Sequence, residues 1–146
     1  MKEKSVGIIL SNKNHCIRYL LLHRKANDHF RESWDFPKGN VEINENELGT
    51  LKRELKEETG ISKFILIKNF REKINLFYRR EGNTISKEII FYLGKTDEEK
   101  AILSSEHDEF RWCPYDEALK LLTHKNSKEI LKKADERLKS SLDNFL

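Results

Sequence analysis

Only two prolines and two cysteines occur in the 146 residues, and no apolar run approaches the roughly 18 to 20 residues that a membrane span needs. The missing run argues against a membrane partner. The opening MKEKSVGIIL carries no secretory cleavage pattern, so a cytoplasmic location is expected. Cys16 and Cys113 have neither CxxC nor zinc-site spacing, which argues against a disulfide framework or a cysteine metal centre; both are expected to be reduced and mostly packed. Charge of one sign is also scarce. With 28 basic residues against 25 acidic, the net charge of +3 is too small to imply a stable nucleic-acid partner. What is left is 37% hydrophobic and 36% charged, without repeats, low-complexity segments or linkers. That composition fits one globular domain over residues 1–146, expected as a monomer.

Short β-prone runs, SVGIIL and IRYLLLHR, flank the turn-like SNKNH and predict a hairpin. The polar stretch KANDHFRESWDFPKGNVEINEN follows as a long loop, and loops of that length in compact domains usually carry function. A helix is predicted from about Glu45 to Thr59, with Asn44 as its cap, Glu47 at the capping-box position and Gly60 ending it in a left-handed turn. FILIKNF, EKINLFYRR and SKEIIFYLGK read as strands, the last two joined around Glu81, Gly82 and Asn83, and EFRWC as a short strand ending at Pro114. Two helices, YDEALKLL and SKEILKKADERLKSSL, complete an α/β chain. The expected fold is an α/β/α sandwich with a mixed β-sheet between helices.

The predicted first helix ends in RELKEETG, with three glutamates in five positions. At about 100° per residue, Glu54, Glu57 and Glu58 fall within an arc of about 100°, beside a stripe of Leu48, Leu51 and Leu55 expected to face the core. Lys52 and Lys56 point to about the opposite side. Like charges at i, i+3 and i, i+4 repel, and the C-terminal end of a helix dipole disfavours anions. A divalent cation would relieve this crowding, and hard cations such as Mg²⁺ choose carboxylate oxygens. A solvated glutamate-rich face is the alternative.

Around these glutamates stand Gly39, five residues, Glu45, seven residues, Arg53-Glu54-Leu55, Lys56, Glu57-Glu58, Thr59 and Gly60-Ile61. This is the Nudix box, G-x5-E-x7-R-E-U-x-E-E-x-G-U with U aliphatic, without a departure over residues 39–61. On these residues the chain resembles the Nudix hydrolases, which hydrolyse nucleoside diphosphates linked to another moiety using Mg²⁺ or Mn²⁺. The resemblance implies that Glu54, Glu57, Glu58 and the Gly39 carbonyl are metal ligands, while Glu45 and Arg53 form a supporting ion pair. It also implies the α/β/α sandwich.

Flanking residues narrow the substrate. SWDFPKGNVE resembles the W-x-x-P-K-G-x-V-E stretch of the diadenosine tetraphosphate hydrolases within that family, which implies that Lys38 contacts phosphate; Trp34 is read as a packing anchor. NLFYRREGNTISKEIIFYL is similar to their substrate-binding hairpin, so Tyr78 is expected to stack on a base and Lys87 to meet the phosphate chain. Arg79 and Arg80 are read as solvated, with a distal phosphate within reach of either. In SSEHDEFRW, Glu106 takes the place of the family's additional carboxylate, as metal ligand or general base. Asp108 and Glu109 compete with it, and His107 is read as a surface residue, with a catalytic role as the alternative. Two positions depart from the pattern: Ser33 replaces a histidine before the tryptophan, with His29 and Arg31 farther upstream, and His124 stands where a second stacking aromatic is expected.

The implied function is Mg²⁺-dependent cleavage of a dinucleoside polyphosphate, diadenosine tetraphosphate to ATP and AMP. Three alternatives stay open. One is a Nudix enzyme acting on triphosphate-capped RNA or a nucleoside triphosphate, and another a non-catalytic nucleotide-sensing Nudix module. The third, an RNA-binding protein, is suggested by the lysine-rich C-terminal helix. There, acidic residues interspersed among the lysines favour a solvated face.

Overall fold

The computed structural model describes residues 2–28 and 30–143, with side chains through residue 140. His29 lies outside the described residues. Strands β1 (Lys2–Asn14) and β2 (Cys16–Arg24) form a hairpin that pairs in register only from Ser11↔Tyr19 to Asn14↔Cys16. The strand thus runs through the expected turn SNKNH, and the reversal is confined to His15, at φ 79°. Beyond Tyr19 the two strands diverge. Two three-residue strands from the predicted long loop fill the gap: β3 (Ser33–Asp35) on β2 and β4 (Lys38–Asn40) on β1. Phe36 is buried between them, and the Ile8 amide donates to the Pro37 carbonyl at 3.1 Å.

Helix α1 (Glu47–Thr59) follows, then β5 (Ile65–Arg80), β6 (Asn83–Lys95), β7 (Glu109–Pro114), α2 (Tyr115–Leu121) and α3 (Lys125–Asp143). The strand order is β3-β2-β1-β6-β5, with β4 on β1 and β7 on β2; β1 and β6 run parallel and the other pairs antiparallel, so the sheet is mixed. FILIKNF and EKINLFYRR form one strand rather than two. An irregularity between Leu66 and Arg71, with Asn69 at φ 63°, marks the predicted break.

Both faces of the sheet are covered, so Ser5 to Asn12 are buried without alternation. Val6, Ile8, Leu10, Leu20 and Leu22 pack on Leu51 and Leu55 of α1. On the other face, Ile9, Tyr19, Leu21, Ile89, Phe91 and Leu93 meet Ala118 of α2 and Ile130, Leu131, Ala134 and Leu138 of α3. Leu48 departs from the expected stripe and is exposed. Cys113 is buried, but Cys16 is exposed at the hairpin end.

The start of α1 also differs from expectation. Asn46 is the cap, accepting from the Gly49 amide at 2.7 Å, while Asn44 adopts φ 66° in the preceding turn. Glu47 makes no capping box. Its carboxylate instead accepts from Lys4, Arg71 and Tyr92, tying α1 to the sheet, and the Arg71 bonds first among these hold it far below the usual carboxylate range. Gly60 ends α1 at φ 75°, a left-handed conformation that a side chain would strain. Asn46→Ala is expected to cost about 1 kcal/mol of unfolding free energy, measured by urea titration, whereas Asn44→Gly, which suits the positive φ, should change it by only a few tenths.

Candidate functional site

The wedge between β1 and β2 carries Lys38, Gly39 and Asn40 along the side of α1. Arg53 fastens the two together. Its Nε and Nη2 donate to the two Glu45 oxygens at 2.6 and 3.0 Å, its Nη2 also reaches the Asn40 carbonyl at 3.0 Å, and its Nη1 reaches Glu54 at 2.7 Å and Glu57 at 3.2 Å. A fork bonded to a carboxylate in this way fixes orientation as well as distance. Glu45 also accepts from the Glu42 amide and the Thr50 hydroxyl, and these bonds, led by that of Arg53, draw its carboxyl down to about 2.

Gly39 is pressed against Glu54: a Cβ on Gly39 would fall 1.9 Å from the Glu54 Cδ. One residue earlier, the Lys38 amide donates to Glu58 Oε2 at 3.1 Å. The loop backbone therefore lies on two of the three helix carboxylates. Glu58 is 4% exposed; burial first, then the Glu54 and Glu106 charges, push its carboxyl up to about 8. Burial also raises Glu54, against the pull of Arg53. Glu57 lies at the exposed edge, where it is bound to Arg53.

Opposite the helix, the loop before β7 brings in Glu106 and His107. Ligand atoms of Glu58, Glu106 and His107 lie within 4.8 Å of one another. The loop is pinned by the Asp108 amide donating to the His23 carbonyl at 3.2 Å and by Asp108 Oδ1 lying 2.5 Å from His23 Nδ1. Arg24 donates to Glu106 at 3.2 Å. Burial and the nearby Arg24 charge push the His107 imidazole below its ordinary value. Crowded, partly desolvated carboxylates and a glycine against which one of them sits make a donor set that fits a divalent cation. Glu54, Glu57, Glu58, Glu106 and the Gly39 carbonyl are the groups that could hold it.

The two lysines expected at phosphate are brought together. Lys87 is half-buried, and burial first, then the Lys38 charge, lowers its ammonium. Lys38 Nζ donates to Asp35 Oδ2 at 2.9 Å, and Asp35 is itself held by Ser127 at 2.8 Å. Tyr78 donates to Glu3 at 2.6 Å, and Arg80 pairs with the same carboxylate. Trp34 packs on the core edge, with His23 at 4.9 Å and the Arg111 guanidinium at 5.0 Å, as befits an anchor. His124 is exposed, and its carbonyl accepts from Lys128 in the first turn of α3.

Three neighbours of the candidate residues escaped the reading of the sequence, Arg24, Asp35 and Glu3, while His107, read as a surface residue, lies beside Glu58 and Glu106. Asp35 stands three residues before Lys38, a spacing that suits an ion pair. Arg24 and Glu3 meet their partners 82 and 75 residues away, where no local pattern points.

The model of the family described as NUDIX domain matches residues 1–134. An asymmetrical bis(5'-nucleosyl)-tetraphosphatase of Rattus norvegicus is 35% identical over 152 aligned residues, covering 97% of this chain and 99% of that protein. The Mus musculus enzyme of the same description is 34% identical, over 97% and 99%. Among solved structures, a binary complex of a C. elegans Ap4A hydrolase superposes with a TM-score of 0.81 at 29% identity, covering 94% of this chain and 98% of that one.

A carboxyl whose value is raised by the fold stabilises the protein fully below its unfolded value and loses that contribution as pH rises through its folded value. For Glu58 this interval runs from the usual 4.5 to about 8. Without added metal, Glu58→Gln is therefore expected to raise the thermal midpoint by several degrees at about pH 8.5 and to leave it nearly unchanged at about pH 4. Thermal unfolding in a chelating buffer measures the difference, and parallel curves for the two proteins would contradict it.

Proposed function

The chain belongs to the NUDIX family, and from that membership we propose that it hydrolyses dinucleoside polyphosphates in the presence of Mg²⁺, cutting diadenosine tetraphosphate asymmetrically to ATP and AMP. The observation that carries the reading is the seating of Glu54 and Glu58 on the Gly39 and Lys38 backbone, next to the Lys38 and Lys87 pair. Anionic ligands for a cation and cationic ligands for a polyphosphate thus share one end of the sheet. The two tetraphosphatase relatives, similar over nearly their whole length, support the same substrate class.

Glu54, Glu57, Glu58, Glu106 and the Gly39 carbonyl would hold the cation, which when bound would supply charge neutralisation at phosphate and a more acidic water. Water adds at one phosphorus, the anhydride P–O bond breaks, and the departing phosphate oxygen carries the charge away. A carboxylate of the cluster takes the water's proton. Lys38 and Lys87 lie along the polyphosphate and offset its charge. Asp35 holds the Lys38 ammonium in place before substrate arrives. Tyr78, steadied through its hydroxyl by Glu3, offers its ring to a base, and His124 takes the second stacking position. Arg53 and Glu45 keep the loop and helix in register, which matters because ligand positions must hold to about 0.5 Å.

The substrate assignment is tested by incubating the protein with Mg²⁺ and, separately, diadenosine tetraphosphate, nucleoside triphosphates and 5′-triphosphate RNA. ATP and AMP from the dinucleotide, formed much faster than any other product, are expected; predominant pyrophosphate release from RNA would overturn the assignment. Glu58→Gln and Gly39→Ala are each expected to lower kcat on the order of a hundredfold or more. Lys87→Ala is expected to act chiefly by raising KM, about tenfold.

A further inference from the structure

We propose that a ring nitrogen of His107 ligates the divalent cation directly, so that the site is a mixed nitrogen and oxygen centre in place of an all-oxygen one. The proposal rests on the reading above that the carboxylate cluster binds a cation, and it assigns to that site a ligand outside the glutamate motif.

Three observations carry it. The first is placement. His107 offers a nitrogen within 4.8 Å of ligand oxygens of both Glu58 and Glu106. Adjacent ligands on one small cation stand about 3 Å apart at bond lengths of about 2.1 Å, so the three atoms converge on an ion with side-chain shifts of less than about 2 Å. The second is an incomplete set of partners. Among the described residues, His107 Nδ1 is buried without a hydrogen-bond partner, whereas buried polar atoms ordinarily have one. His23, the neighbouring histidine, differs: its nitrogens face Asp108 at 2.5 Å and Glu32 at 2.8 Å, so it is engaged in holding the loop.

The third is fixation of the backbone. The His107 amide donates to the Ser104 carbonyl and the Asp108 amide to the His23 carbonyl, each at 3.2 Å, so the imidazole is carried by a segment anchored on β2. Glu106 and His107 are thereby held within reach of Glu58. Imidazole is a poor ligand for Mg²⁺ but a good one for Mn²⁺ and Co²⁺. The residue would thus widen metal choice without hindering Mg²⁺, which can use the oxygens alone.

Pulsed electron paramagnetic resonance of the full chain loaded with Mn²⁺ tests this directly. The wild type is expected to show hyperfine modulation from a coordinated nitrogen, altered when histidine is labelled with ¹⁵N, and absent in His107→Gln. In the same variant, Mn²⁺ affinity should fall about tenfold while Mg²⁺ affinity stays within about twofold. His107→Asn serves as a second variant, and circular dichroism checks that both fold. Wild-type protein that binds Mn²⁺ without nitrogen coupling, or coupling that survives in both variants, overturns the proposal. Turnover of dinucleoside polyphosphate without such coupling would sink the histidine ligand alone. Coupling without turnover would sink the hydrolase reading alone, and failure to bind Mn²⁺ would count against both.

Discussion

The Arg53 guanidinium is the interaction on which the site depends. It is bonded at once to Glu45 in the loop, Glu54 and Glu57 on the helix and the Asn40 carbonyl at the end of β4. One planar cation spans the gap between two segments that local sequence alone would leave independent. Its charge also offsets part of the repulsion among carboxylates that burial would otherwise force to take up protons. Glu54, in contact with Arg53, is raised only against that pull, while Glu58, without the contact, is pushed up to about 8. The cluster is held together and left under electrostatic stress by the same arrangement.

That stress arises from the fold. Because β1 and β2 pair over only four positions before diverging, the chain can insert β3 and β4 between them and deliver Lys38 and Gly39 to α1. Burial on both faces of the sheet fixes the register, so Lys87, opposite Glu3 on β1, and Tyr78, bonded to that same Glu3, arrive at one end of the α3 face. The lysines proposed to meet phosphate and the carboxylates proposed to hold a cation therefore meet where the wedge, the helix and the β7 loop come together. Neither a stronger core nor a more regular hairpin would produce that meeting.

Much of this was legible in the chain. Helix α1 and its left-handed end at Gly60 follow from local spacing, and the Glu45–Arg53 pair from the resemblance to the Nudix box. The two-sided sheet followed from the intermixing of strands and helices along the chain. The cap was misplaced by two residues, since Asn44 and Asn46 both have the right chemistry and only the backbone, at φ 66° in Asn44, distinguishes them. Leu48 and Cys16 were expected inside and are exposed, for each lies at the end of an element, where periodicity outruns the neighbouring layer. Arg24 could not be found by pattern, as its partner Glu106 comes from a distant element, and His107 was read as a surface residue. A lone histidine on a loop becomes informative only when its neighbours in space are known.

The Gly39 and Arg53 framework holds the cluster proposed to take a divalent cation, and burial raises the carboxyl of Glu58 within it to about 8. Calorimetric titration of Mg²⁺ into the protein in buffers of different ionisation enthalpy measures this directly, because a carboxyl near 8 must give up its proton on binding. The account predicts release of about one proton per ion near pH 7, falling toward none above about pH 9. Binding without proton release across that range, or no binding at all, would contradict it.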